Sequence, residues 1–261
     1  MSERLQDLYL QQGKTQPLVL RCETAPIVYK VISAITQGAP ARLTTTTPHG
    51  MVEGWRAAVT NAKGMTEINA TANAVKDKDY HAVTVIDTTT IEFNDVNAAG
   101  FKAYLSGGFL QYNTPMDLTG YAGRLHIRTK KGAELKLKCT KGGVAGTTRP
   151  TAVGADGSVT WIATTDAVTK AWSVGATYAV GDVVDPTILL SMTTTNGLIA
   201  IDNTAKTVTL YFDAIDFTAL TWKRGYYELE LYKDVVRGGQ TIESVYSPIE
   251  GNVFLDSETT K

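Results

Sequence analysis

Tyr226-Tyr227-Glu228-Leu229-Glu230-Leu231 alternates without a break, and its reading decides the fold. Tyr227, Leu229 and Leu231 share one face of an extended chain, while Tyr226, Glu228 and Glu230 share the other. That is a strand with one apolar and one wet face, as in antiparallel sandwiches. The same pattern recurs on both sides of it in the chain. Val208, Leu210 and Phe212 alternate with Thr207, Thr209 and Tyr211, and Leu125 and Ile127 alternate with Arg124, His126 and Arg128. A turn at Lys131-Gly132 followed by Leu135 to Cys139 predicts that this last strand forms a hairpin with its successor. Turn signals at Gly107-Gly108, Asn196-Gly197, Asp202-Asn203 and Gly238-Gly239 separate further strands. Helical periodicity is scarce; the best candidates are Arg4 to Gln11 and the segment from Asp213 to Leu220.

Composition agrees with this reading. The 261 residues contain 38 threonines, a residue that suits half-buried pleated surfaces and weakens helix interiors. The fold class is therefore all-β. A net charge of -1 gives no basic excess, so nucleic acid is not an expected partner. No apolar run approaches the roughly 20 residues that cross a bilayer, and Met1 to Lys14 lacks the apolar core of a signal peptide. A soluble protein folded in a cytoplasm is expected, with no membrane insertion.

The residues that could carry chemistry do not converge. Cys22 and Cys139 each fall on the apolar face of an alternating stretch, which favours a structural role over a reactive or bridged one. His49 sits in a turn, His81 opens a strand, and His126 lies on a wet face between two arginines. No nucleophile motif, zinc motif or phosphate loop is present, so the expectation is a protein that is not an enzyme and needs no cofactor or metal. Asp77/Asp79 and Asp213/Asp216 could coordinate Ca²⁺ or serve acid/base roles, but ordinary solvation or helix-end capping is the favoured reading. Lys130-Lys131 and Lys136/Lys138 read as a solvated, basic strand face. Trp55 and Trp222 occupy strand-like positions in a core or interface. Trp161, Trp172 and Tyr178 allow two readings: faces for sugar rings or partners, or the small core of a local module.

Two blocks interrupt the alternating core. Residues 34–109 are rich in Thr, Ala and Gly and include a hairpin across Asp87-Thr88-Thr89; residues 140–184 contain the second pair of tryptophans. The expected organisation is a discontinuous sandwich of 1–33, 110–139 and 185–250, with two modules inserted in its loops and a tail at 251–261.

The core segments resemble the immunoglobulin-like domain at the N-terminus of phage baseplate upper proteins and related tail proteins. The likeness rests on Gln12-Gly13-Lys14-Thr15, Asp117-Leu118-Thr119-Gly120-Tyr121, Thr187 to Met192, Gly197 to Asp202, and Gly225 to Leu231. The first insert is similar to the FCCH-like small β-barrel, named after the first catalytic cysteine half-domain of ubiquitin-activating enzymes. Pro48-His49-Gly50, Gly64 to Asn69, Tyr80 to Asp87 and Ser106-Gly107-Gly108 carry that similarity; the resemblance implies a non-catalytic scaffold. The second insert resembles small repeats of phage tail and fibre proteins. Gly146 to Pro150 and Asp156 to Trp161 match one half, and Trp172, Tyr178 and Gly181-Asp182-Val183 the other, in reversed order.

These resemblances imply a bacteriophage virion structural protein of the tail, baseplate or fibre-attachment region, assembled in the host cytoplasm. Its partners would be other virion proteins: tail tube, baseplate, portal or adaptor, or fibre. It would act as a homo-oligomer in a ring or as trimers. The alternatives are a polysaccharide-binding module of the tail, using Trp161, Trp172 and Tyr178, and a head-decoration or collar protein.

Overall fold

The alternation is realised as strands throughout the computed structural model, which describes residues 4–5, 7–72, 74–212 and 222–256. The protein is nearly all-β, with several sheets and a small closed barrel, consistent with a sandwich carrying inserted modules. The chain divides into two units: Val19–Thr119 with Ile201–Val208, and Ser2–Leu18 with Gly120–Ala200 and Thr209–Lys261.

In the first unit, β4 (Glu23–Ile35), β5 (Ala41–Thr45), β8 (Thr90–Phe93), β7 (His81–Val85), β6 (Arg56–Thr60) and β9 (Phe109–Pro115) close into a six-stranded barrel. The hairpin across Asp87-Thr88-Thr89 joins β7 to β8, with Val83 opposite Phe93 and Val85 opposite Ile91. Closure comes from β4 pairing with β9. The barrel therefore takes in chain on both sides of the 34–109 block. Leu43, Trp55, Met65, Val83, Ile91, Phe93 and Leu110 are fully buried within it. Closing the sheet on itself leaves no barrel strand with an open edge. Two short 3-10 turns, Thr66–Ile68 and Asp77–Asp79, interrupt the connections.

The second unit is organised on a six-stranded sheet. Its order is β1 (Arg4–Leu5), β21 (Gln240–Asp256), β20 (Arg224–Arg237), β10 (Ala122–Arg128) and β17 (Ile188–Thr193), with β2 (Leu8–Gln11) also on β21. Register turns the sequence alternation into two rows across the strands. Met192, Leu125, Leu229 and Ile249 form a buried row, and Ser191, His126, Glu228 and Glu250 the neighbouring row on the opposite face. A small sheet of β18 (Ile199–Asp202), β19 (Thr207–Phe212) and β3 (Gln16–Arg21) completes the strands outside the second insert.

That insert contributes β13 (Gly154–Asp156), β14 (Val159–Ala163), β11 (Leu137–Lys141) and β16 (Val183–Val184) in one sheet, and β12 (Gly143–Val144) with β15 (Thr177–Tyr178) in another.

Two local expectations are corrected. Arg4 to Gln11 is not helical: β1 and β2 pair in parallel with β21, and Leu8 and Leu10 are buried on one face by the period-2 spacing. The strand at Leu135 to Cys139 does not form a hairpin with Arg124 to Arg128. Both edges of β10 are occupied, by β17 and β20, so β11 pairs instead with β14 and β16. The predicted helix from Asp213 to Leu220, and with it Asp213/Asp216, lies outside the described residues.

Candidate functional site

Trp161, Trp172 and Tyr178 do come together, in the core of the second insert. Their exposures are 1%, 6% and 1%, and they pack with Leu137, Cys139, Val159 and Val184. Strand β14 alternates, so Trp161 points inward with Val159, and its ring meets Tyr178 edge to face at 5.1 Å. Trp172 Nε1 donates to Asp156 at 3.0 Å, while the Tyr178 hydroxyl donates to the Ala171 carbonyl and accepts from the Ser173 amide. The Arg149 and Lys170 cations lie over the Trp172 and Tyr178 rings at 4.8 and 4.9 Å. These faces are occupied by protein. An insert of this size has few other large apolar side chains, so its aromatics are drawn inward.

The histidines are placed differently. His49 is buried: its Nδ1 accepts from the Met51 amide, which leaves Nε2 to donate to the Asp87 carbonyl. The Tyr112 hydroxyl donates to the His49 carbonyl. These bonds fix a barrel turn. His81 pairs with Asp95 at 3.0 Å. His126 lies in a cleft of about 280 Å³ on the polar face of the six-stranded sheet, lined also by Arg124, Arg128, Lys131, Tyr226, Glu228 and Glu230. Burial, then the neighbouring Arg128, hold the His126 pKa below its ordinary value.

Every acid around that cleft has a partner. Arg124 reaches Glu230 and Glu243, Lys131 and the Tyr226 hydroxyl both reach Glu250, and Ser247 donates to Glu228 at 2.9 Å. Arg128 binds Asp185, Thr187 and the Ala133 carbonyl. Arg124, Arg128 and Lys131 are thus each paired with a carboxylate, while Glu228 is held by a neutral hydroxyl. Lys136 and Lys138 pair with Glu134 and Asp166, so the predicted basic face is divided among separate ion pairs.

The remaining candidates are structural. Asp77 pairs with Arg56, and Asp79 accepts from the Thr71 hydroxyl and amide and the Lys76 amide, closing a short turn. Among the described residues no group of three or more His, Cys, Asp or Glu side chains could hold a metal ion. Cys22 and Cys139 are free and buried; burial pushes the Cys22 thiol up to about 12 and raises Cys139 as well. Trp55 is fully buried in the barrel and donates to the Asn113 carbonyl.

What the sequence did not single out is a pair of open surfaces. The first is the distal half of the β20–β21 hairpin. β10 accompanies β20 only as far as Tyr232, and β1 joins β21 only from Ile249. Between them the pairs from Lys233↔Ser244 to Arg237↔Gln240 form a two-stranded ribbon with no third strand among the described residues. Gly238 and Gly239 both have positive φ, 58° and 78°, as a two-residue type I′ turn requires. Val236, at 72% exposure, and Ile242 and Val245 are open to solvent along the ribbon. The second surface is on the barrel, where Ile27, Tyr29 and Val31 of β4 and Phe109 of β9 are exposed together. Alternating valines and isoleucines in a strand do not reveal which series faces water, so only pairing could find these surfaces. No protein-family model matches the chain, and no curated protein matches it significantly.

Proposed function

We propose that this chain is a non-enzymatic structural component of a tailed-phage virion, in the tail, baseplate or fibre-attachment region, that docks onto symmetric neighbours. The observation that carries the reading is the β20–β21 ribbon: a prefolded arm with exposed Val236, Ile242 and Val245 and unaccompanied backbone on both edges. Unpaired strand edges and open apolar side chains are what a neighbouring subunit covers. Sequence resemblance to baseplate upper proteins supplies the context. Repetition in a ring makes modest individual contacts strong, because many engage together.

Mass spectrometry of purified particles tests the placement, with the chain expected in stoichiometric amounts; its absence from intact particles defeats the reading. Light scattering of the isolated chain tests the arm. Association that rises with concentration and is abolished by Val236→Lys with Ile242→Lys is expected.

A further inference from the structure

Beside the exposed apolar surface of the barrel, and sharing Ile27 and Tyr29 with it, lies a groove. It has a volume of about 500 Å³ and lies on the outer side of the barrel, lined from β4, β6 and β9 and by residues 69–72, 74–75 and Tyr80. None of the described residues that line it is charged, although a fifth of the whole chain is. The lining is instead tyrosines, amides, hydroxyls and alanines, with Ile27 and Val75 as its branched apolar members.

Strand register explains its shape. Tyr29, Gln111 and Ala58 stand opposite one another on β4, β9 and β6, so a tall ring is followed by an amide and then by a methyl group. Tyr29 is 55% exposed, and the edge of its ring contact with Phe109, 6.3 Å between centres, steadies it. Tyr80 is steadied by the Arg56 guanidinium, 5.2 Å from its ring centre, and Arg56 is in turn held by Glu23 and Asp77. Both aromatic groups are therefore set before any ligand arrives.

Hydrogen-bonding capacity is left over at the same place. Gln111 is only 6% exposed, and its Nε2 donates to the Tyr80 hydroxyl at 3.0 Å. Its Oε1 accepts from no described residue, and the Tyr29 hydroxyl and Asn61 amide make no side-chain bond to one. An amide oxygen at the wall of a groove, bonded to no described side chain and reachable by water, can accept a hydrogen bond from a ligand in place of water. Donors and acceptors without charge, beside an open aromatic face, suit a polyhydroxylated neutral molecule: its hydroxyls satisfy the amides and its C–H face covers the ring. We propose that this groove binds an uncharged saccharide, with a sugar ring against Tyr29 and hydroxyls directed to Gln111 Oε1, the Tyr80 hydroxyl and Asn61. This site is on the barrel, apart from the aromatic core of the second insert, and does not depend on the virion reading.

The test uses the whole chain on an array of uncharged oligosaccharides built from glucose, galactose and their N-acetyl amines, followed by calorimetric titration of the strongest binder. Tyr29→Ala removes the platform, and Ala74→Trp fills the groove; both alter groups at the surface, and unchanged circular dichroism and melting verify the fold. Binding that weakens about tenfold or more in each variant, and persists in Trp172→Phe, supports the proposal. A blank array overturns it, as does saccharide binding that neither variant weakens. Binding confined to a parallel array of extended peptides overturns it too. None of these outcomes bears on whether the chain is found in particles.

Discussion

The Arg149 guanidinium lies 4.8 Å from the centre of the Trp172 ring, and from one nitrogen it donates to the carbonyls of Pro186 at 2.7 Å and Ile188 at 2.9 Å. One side chain thus closes the aromatic core of the second insert and covers a carbonyl at the start of edge strand β17. Arg149→Ala is expected to lower stability by about 2 kcal/mol, through the lost ring contact and two uncovered carbonyls. Arg149→Lys should recover only part of that, because an ammonium cannot stack as a plane. Thermal melts of the three proteins measure the order.

Trp161 makes a sharper demand on the same core. It is fully buried between the two sheets of the insert and meets Tyr178 edge to face. Trp161→Ala should cost about 3–5 kcal/mol. Limited proteolysis followed by mass spectrometry should find new cleavages within residues 140–184 and none in the barrel.

In the barrel, Gly108 has φ of 88°, and a Cβ there would stand 2.8 Å from the backbone of Ala62. Neither atom set can move without displacing β6 or β9. Gly108→Ala is expected to destabilise by at least about 2 kcal/mol, as strain and overlap add. Chemical denaturation followed by fluorescence in a Trp161→Phe, Trp172→Phe, Trp222→Phe background, where Trp55 alone emits, reads this.

Acid should weaken the second unit in two stages. His126 has its folded pKa lowered, by burial first and by Arg128 next, so the unfolded chain takes up a proton more readily. The stability it confers is present above the ordinary histidine value, about 6.5, and declines as pH falls below it. Asp185 follows: burial alone would raise its pKa, but hydrogen bonds from Thr187 and Arg128 outweigh that and lower it. Its contribution is present above the ordinary aspartate value, about 3.9, and is lost as pH falls toward the folded one. Melting temperature against pH should therefore show an upper decline that His126→Gln removes and a lower one that it leaves.

The buried thiols give a simple check of packing. With Cys22 pushed up to about 12 by burial, an aromatic disulfide reagent at pH 8 should titrate neither cysteine in the folded chain and both after denaturation. Rapid labelling of Cys22 in the native protein would contradict its placement.

The strands of the central sheet were legible because their two faces differ in kind: Leu125 and Ile127 against Arg124, His126 and Arg128 leave one choice of inside. Partnership was not legible. Nothing in Leu135 to Cys139 says that both edges of β10 are already taken, since β17 and β20 lie some 60 and 100 residues further along the chain. In Ile27-Val28-Tyr29-Lys30-Val31 the pattern points the wrong way. Lys30 belongs to the series that faces the barrel interior with Val28 and Ile32, while Ile27, Tyr29 and Val31 face out. The groove was hidden for the same reason, because its members become neighbours only through the register of β4, β9 and β6. The aromatic trio was the reverse case, quoted from sequence yet open in role until its burial was seen.

The barrel closes through its first and last strands, with Glu23 standing opposite Pro115. The chain therefore arrives and departs through adjacent positions, like the two ends of a plug. A cassette of this kind can be exchanged for a tight turn, or for another module with the same spacing of ends, without re-routing the flanking chain. Tolerance of such exchange is a property of the connection alone, so the surface the barrel offers can diversify while its attachment stays constant.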